Sequence, residues 1–189
     1  EDPVARTMDV ADPVGLLMGI VPSTNPTSTT IFKSIIALKA RNAIVFSPHP
    51  SAAKCTQKAA ELMYEAAVEA GAPANIIGCI SMPSMPATNE LMHSKEVKMI
   101  IATGGPGMVK ASYSAGKPAL GVGAGNSPAY IERTANVQQA VTNIIASKTF
   151  DYGTICASEQ SIICEECNKD AVIAELKRQG GYFMTPEET

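Results

Sequence analysis

The 189 residues, 46% apolar and 17% charged, are those of a globular chain long enough to bury a substantial core. Fifteen basic against eighteen acidic residues give a formal charge of −3 with no basic block, which excludes an electrostatic nucleic-acid or membrane footprint. No apolar run reaches the length of a membrane span, and the Glu1-Asp2-Pro3 terminus is neither a signal nor a transit peptide.

The pattern alternates strand and helix. Residues 14–21 form an apolar run interrupted only by glycines, which predicts a buried strand. The turn cluster Pro22-Ser23-Thr24-Asn25-Pro26 follows, then a helix over about 27–40 that closes at Asn42. A short strand at 43–46 stops at Ser47-Pro48-His49-Pro50. The clearest helix has Ser51 as its expected N-cap and carries Ala59, Leu62, Met63, Ala66, Ala67 and Ala70 at helical spacing. Strands are expected at 75–80 and 97–102, with a short helix at 87–93 between them. Thr103-Gly104-Gly105-Pro106-Gly107 breaks the second of these strands, and a helix then reaches Ala115. Residues 119–122 lead into the bend Gly123-Ala124-Gly125-Asn126, and 129–131 predict an edge or short strand. A helix marked by Val137, Ala140, Val141, Ile144 and Ile145 ends near Lys148. A turn centred on Gly153 delivers Cys156, and a strand begins at Ser161. Val172, Ile173 and Leu176 mark a last helix ending at Gly180-Gly181.

Repeated strand–helix units imply an α/β fold with a mostly parallel, Rossmann-type sheet covered by helices on both faces. In such sheets ligands sit at the carboxyl ends of the strands. Asn25, Pro48-His49 and Thr103-Gly104-Gly105 all follow strands, and so fall on that edge.

Each candidate residue has a bland reading beside a chemical one. Cys156 is either a buried, inert filler or a nucleophile, which requires its thiolate to be favoured and reachable. Thr103-Gly104-Gly105 is either a tight turn or a place where backbone and helix N-terminus meet a phosphate. Asn25 is either a helix cap or a donor to a developing oxyanion. Five scattered cysteines (Cys55, Cys79, Cys156, Cys164, Cys167) predict reduced thiols in a cytoplasmic setting. The lone Cys164-Glu165-Glu166-Cys167 lacks the two further ligands of a zinc site, and His49 and His93 are remote in sequence, so no metal is expected.

Pro22-Ser23-Thr24-Asn25-Pro26-Thr27, Ser47-Pro48-His49-Pro50, Thr103-Gly104-Gly105, Gly121-Val122-Gly123-Ala124-Gly125-Asn126 and residues 147–161 occur together in this order. Together they resemble the CoA-acylating aldehyde dehydrogenases, above all the aldehyde dehydrogenase half of the bifunctional aldehyde–alcohol dehydrogenases and the stand-alone acetylating acetaldehyde or sulfoacetaldehyde dehydrogenases. The likeness runs over about residues 14–163. It implies that Cys156 is the nucleophile and that Asn25, with the Cys156 backbone N–H, holds the oxyanion. It implies that NAD lies along Val21, Pro22, Ser23, Thr24, Thr103, Gly104, Gly105, Val122 and Gly123, with coenzyme A as co-substrate and a small aldehyde as substrate.

The lysine that binds the adenosine ribose in hydrolytic relatives is replaced near Ser47, which leaves NAD and NADP both open. The glutamate that activates water there is replaced by Val122, which suits transfer to CoA. By the same resemblance, 1–120 is part of a dinucleotide-binding domain and 121–189 the start of the catalytic domain. The chain is then a piece of a longer protein, a homo-oligomer through segments not included, with a possible fused iron-dependent alcohol dehydrogenase. A hydrolytic dehydrogenase, a phosphate-dependent semialdehyde reductase and a non-catalytic fragment are the alternatives.

Overall fold

The computed structural model describes Arg6, Met8 and residues 12–189; the Glu1-Asp2-Pro3 terminus lies outside them. The chain divides into two compact units, Glu1–Ala124 and Gly125–Thr189.

The first unit is built on β1 (Leu16–Val21), α1 (Pro26–Lys39), β2 (Ala43–Pro48), α2 (Ala53–Glu69), β3 (Ile77–Cys79), α3 (Met85–His93), β4 (Val97–Thr103), α4 (Pro106–Tyr113) and β5 (Ala119–Val122). Its five strands form one parallel sheet in the order β3-β2-β1-β4-β5. The chain leaves β1 in one direction to build β2 and β3, then returns to β1's other side for β4 and β5. The reversal makes the β1/β4 boundary the topological switch point, where ligands of open α/β sheets bind.

Alternation along β1 explains why its whole run is apolar. Leu17 and Val21 enter one core with Ile44, Phe46, Ala60 and Ile77, while Met18 and Ile20 enter the other with Met92, Val97, Ile100 and Ala102. Gly19 interrupts the run for a steric reason: a Cβ there would lie 2.7 Å from the ring of fully buried Phe46.

One expected detail is corrected. Ser51 does not cap the long helix. A 3₁₀ turn, Pro50–Ala52, precedes α2, and the His49 imidazole accepts from the Ser51 N–H to cap that turn. The helix expected at 87–93 starts two residues earlier, because Ser84 caps it through the Ala87 N–H at 3.2 Å.

The second unit contains β6 (Ser127–Ile131), α5 (Val137–Thr149), β7 (Glu159–Cys164) and α6 (Lys169–Arg178). The two strands pair in parallel, and Ile131, Val141 and Val172 form the centre of their core with the helices. Asn136 caps α5 by accepting from the Gln139 N–H at 3.0 Å.

Candidate active site

Cys156 is carried by a segment whose shape is set by three consecutive left-handed residues. After α5 ends at Thr149, Asp151 (φ 49°), Tyr152 (φ 54°) and Gly153 (φ 69°) reverse the chain. A tyrosine in this region costs about 1–2 kcal/mol, so surrounding bonds must hold it. The Thr154 hydroxyl donates to both the Asp151 carbonyl and its carboxylate at 2.8 Å, and the Thr154 N–H donates to the same carbonyl at 3.1 Å. A tight turn follows, closed by the Ser158 N–H on the Ile155 carbonyl at 3.0 Å. Cys156 and Ala157 occupy its centre, and buried Ser158 anchors the start of β7.

The Cys156 thiol is exposed, and its backbone N–H has no acceptor among the described residues. Beside it, Ala146, Ser147, Phe150, Ile155, Ala157 and Ser158 line a hollow of about 340 Å³. Gly125 packs against the backbone of Cys156: a Cβ there would sit 2.9 Å from the Cys156 carbonyl oxygen. The Ser161 hydroxyl donates to the Asn126 side-chain oxygen at 3.4 Å, tying the glycine-rich bend to β7. An exposed thiol on a braced turn beside an unpartnered N–H can form a covalent adduct and stabilise the oxygen that becomes negative.

The other cysteines differ. Burial pushes the Cys79 thiol up to about 11, which keeps it neutral and unreactive. Cys55 and Cys167 are exposed and Cys164 is half-buried. Among the described residues no group of three or more His, Cys, Asp or Glu is arranged to hold a metal ion.

In the first unit the carboxyl edge of the sheet gathers the remaining candidates. Val21 ends β1, and its carbonyl accepts from the His49 N–H at 3.0 Å. The Gly104 N–H donates to the Val122 carbonyl at 3.1 Å, which brings Thr103-Gly104-Gly105 beside Val122-Gly123. Asn25 stands at the N-cap position of α1 without capping it: its side-chain oxygen accepts from the Thr24 hydroxyl at 3.2 Å, and its amide nitrogen has no partner among the described residues. Ser47 is buried and its hydroxyl is shared with Thr88 at 2.8 Å, so His49 is the residue exposed at the end of β2. Val122 is exposed and brings no carboxylate.

Whether a dinucleotide pyrophosphate suits this edge is decided at the start of α4. Gly105 occupies the N-cap with no side-chain cap, and no acid lies in the first turn. A Cβ added at Gly105 or Gly107 would meet nothing within 4 Å. Open space, the Gly105 and Gly107 N–H groups, which have no acceptor among the described residues, and the positive helix end fit an anion.

Sequence reasoning missed Lys33. It is 2% exposed, and its Nζ donates to the Ile20 carbonyl at 2.6 Å and the Ile101 carbonyl at 2.8 Å. Burial lowers its pKa to about 7. The signal was the polar series Thr29, Thr30, Lys33 and Ser34 at helical spacing, all buried, while Ile31, Phe32 and Ile35 face outward.

A model of the aldehyde dehydrogenase family matches residues 2–180. The chain belongs to the aldehyde dehydrogenase family. Among its members, the chain is 54% identical over 188 residues to the bifunctional aldehyde-alcohol dehydrogenase of Escherichia coli (strain K12), covering 100% of this chain and 21% of that protein. It superposes on the crystal structure of an acetylating aldehyde dehydrogenase from Geobacillus thermoglucosidasius with a TM-score of 0.84 and 65% identity, over 94% of this chain and 39% of that one. A Rhodopseudomonas palustris propionaldehyde dehydrogenase with bound CoA and an acylated cysteine gives a TM-score of 0.82 at 38% identity, over 93% of this chain and 40% of that one. The chain thus spans about a fifth of the bifunctional relative and about two fifths of these solved chains.

Proposed function

We propose that the complete protein is an NAD(H)-dependent, CoA-acylating aldehyde dehydrogenase, converting a short aldehyde into its acyl-CoA. The observation that carries this reading is the exposed Cys156 on its braced turn, with its own N–H unpartnered among the described residues. The Cys156 thiolate adds to the aldehyde carbon, forming a C–S bond while the carbonyl oxygen takes up the displaced electron pair. The Cys156 N–H, which has no acceptor among the described residues, suits that oxygen as a donor; Asn25 is the second donor that the family resemblance implies, and its amide nitrogen has no partner among the described residues. NAD, when bound, supplies the acceptor for the hydride that leaves the same carbon. The open start of α4, with Val21, Pro22, Ser23, Thr24, Thr103, Gly104, Gly105, Val122 and Gly123, supports a pyrophosphate and nicotinamide site. The thioester left on Cys156 is attacked by the thiol of CoA, and the Cys156 sulfur departs as thiolate. The sum is aldehyde, NAD⁺ and CoA to acyl-CoA, NADH and a proton.

Release to water needs a positioned base, and the position to which the family resemblance assigns that base in hydrolytic relatives is Val122 here, which cannot serve. The relatives' names range over propionaldehyde, sulfoacetaldehyde and succinate semialdehyde, so the proposed substrate class is a short aldehyde rather than one compound. A cytoplasmic or microcompartment setting, assembly into a homo-oligomer, and fusion to an iron-dependent alcohol dehydrogenase belong to the same proposal; among the described residues no helix is long and apolar enough to cross a membrane. The deciding experiment follows NADH formation by the complete protein with acetaldehyde and NAD, with and without CoA. Formation that requires CoA supports the reading, and equal rates with free acid as product contradict it.

A further inference from the structure

We propose that Lys33 is a positioning residue that sets the width of the cofactor crevice by joining the carboxyl ends of β1 and β4. Nothing in the proposed reaction uses this side chain, yet the first unit buries it almost completely. It rises from the middle of α1 to the boundary at which the sheet order reverses. Its Nζ donates to Ile20, the penultimate residue of β1, at 2.6 Å and to Ile101, two residues before the end of β4, at 2.8 Å. Immediately beyond these carbonyls the chain enters the Val21–Asn25 and Thr103–Gly105 turns.

The chemistry of the amine matches this placement. Two N–H donors face two carbonyls, and a neutral amine retains both of them. Either protonation state can therefore hold the strands together, and burial brings the pKa to about 7 without breaking the bridge. A methionine of similar length would fill the space with no desolvation penalty, so the amine costs stability that packing alone does not require. Departures from local rules of this kind collect at functional sites. The neighbouring α1 residues Thr29, Thr30 and Ser34 are also buried and polar, and the Ser34 hydroxyl has no partner among the described residues. The inner face of α1 is thus polar toward its N-terminal half, and only further along does it join the apolar core, through Ala37.

This inference rests on the reading that a dinucleotide occupies the crevice. The test uses the complete protein and two readouts. NADH affinity is measured by the rise in NADH fluorescence. Acylation of Cys156 is measured by the p-nitrophenol burst from p-nitrophenyl acetate, in which the acetyl group moves to the sulfur and p-nitrophenolate leaves; no dinucleotide takes part. K33M, which keeps length and removes both donors, is expected to weaken NADH binding at least tenfold while the burst rate falls less than twofold. NADH affinity within twofold of wild type, or equal losses in both readouts, overturns the proposal. If K33M does not fold, K33Q decides by the same two readouts, since its head is too short to reach both carbonyls. Gly105→Asp separates the two levels, because an acid at the start of α4 repels a pyrophosphate. If it leaves NADH binding intact, the crevice reading itself is wrong; if it abolishes binding while K33M does not weaken it, only the role of Lys33 falls.

Discussion

Gly125→Ala is the substitution that should reveal how tightly Cys156, the proposed nucleophile, is held. Its new Cβ would stand 2.9 Å from the Cys156 carbonyl oxygen, whereas ordinary contacts begin at 3.4 Å. The conflict is with backbone, so no flexible side-chain end can swing away. Gly125 is not among the left-handed glycines, so alanine meets no conformational strain there and the effect is confined to this contact. Relief requires the Ile155–Ser158 turn to retreat by about 0.5 Å, and since misplacing a reacting group by about 1 Å can lower a rate about a hundredfold, half that shift implies about tenfold. The assay is the p-nitrophenyl acetate burst of the complete protein, with CoA-dependent NADH formation beside it. Gly78→Ala is the matched control, since its Cβ would meet only Val45 at 3.7 Å. Burst and turnover should fall together in G125A, with NADH affinity unchanged, and remain at wild-type levels in G78A. A G125A enzyme with wild-type burst rate and thermal stability would refute the claim that this glycine fixes the thiol.

Asn25→Ala should lower turnover by about a hundred- to a thousandfold, the usual effect of losing an oxyanion donor, with NADH affinity little changed; loss of affinity alone would make Asn25 a turn residue. Val122→Glu restores the carboxylate that the resemblance places at this position in hydrolytic relatives, and should raise the ratio of free acid to acyl-CoA; an unchanged ratio would remove Val122 from the explanation. Lys33 makes stability depend on pH: between about 7 and its usual 10.5 the unfolded chain keeps a proton that the folded one has released, so folding strengthens as pH rises through that window. Wild type should therefore gain on K33M between pH 7 and 9, approaching about 1.4 kcal/mol per pH unit, in parallel urea melts; a constant difference between the two would contradict the lowered pKa.

Much of this arrangement can be read from local pattern. The apolar run ending at Val21, the proline-flanked turn at Asn25 and the glycines after Thr103 are consecutive residues, and their spacing places them on one sheet edge. What could not be read depends on contacts between distant residues. An amphipathic helix declares two faces without saying which is inner. In α1 the side bearing Ile31, Phe32 and Ile35 faces outward, while Lys33 reaches strands up to 68 residues away in sequence. Ser51 had the residue type of an N-cap, but the imidazole two positions earlier takes that part by capping the 3₁₀ turn. Gly125 reads as a bend residue until the fold brings it against the Cys156 carbonyl.

The most direct measurement of the central claim is the mass of the complete protein after incubation with acetyl-CoA in the absence of NADH. With no hydride donor the reverse reaction should halt at the thioester, leaving one acetyl group on the peptide that contains Cys156 and releasing CoA. Cys156→Ser should remove this labile adduct while NADH binding persists, and serine at Cys55, Cys79, Cys164 or Cys167 should leave it in place. A protein that turns over aldehyde yet never carries the acetyl group on Cys156, or a Cys156→Ser variant with near-normal turnover, would contradict the covalent account.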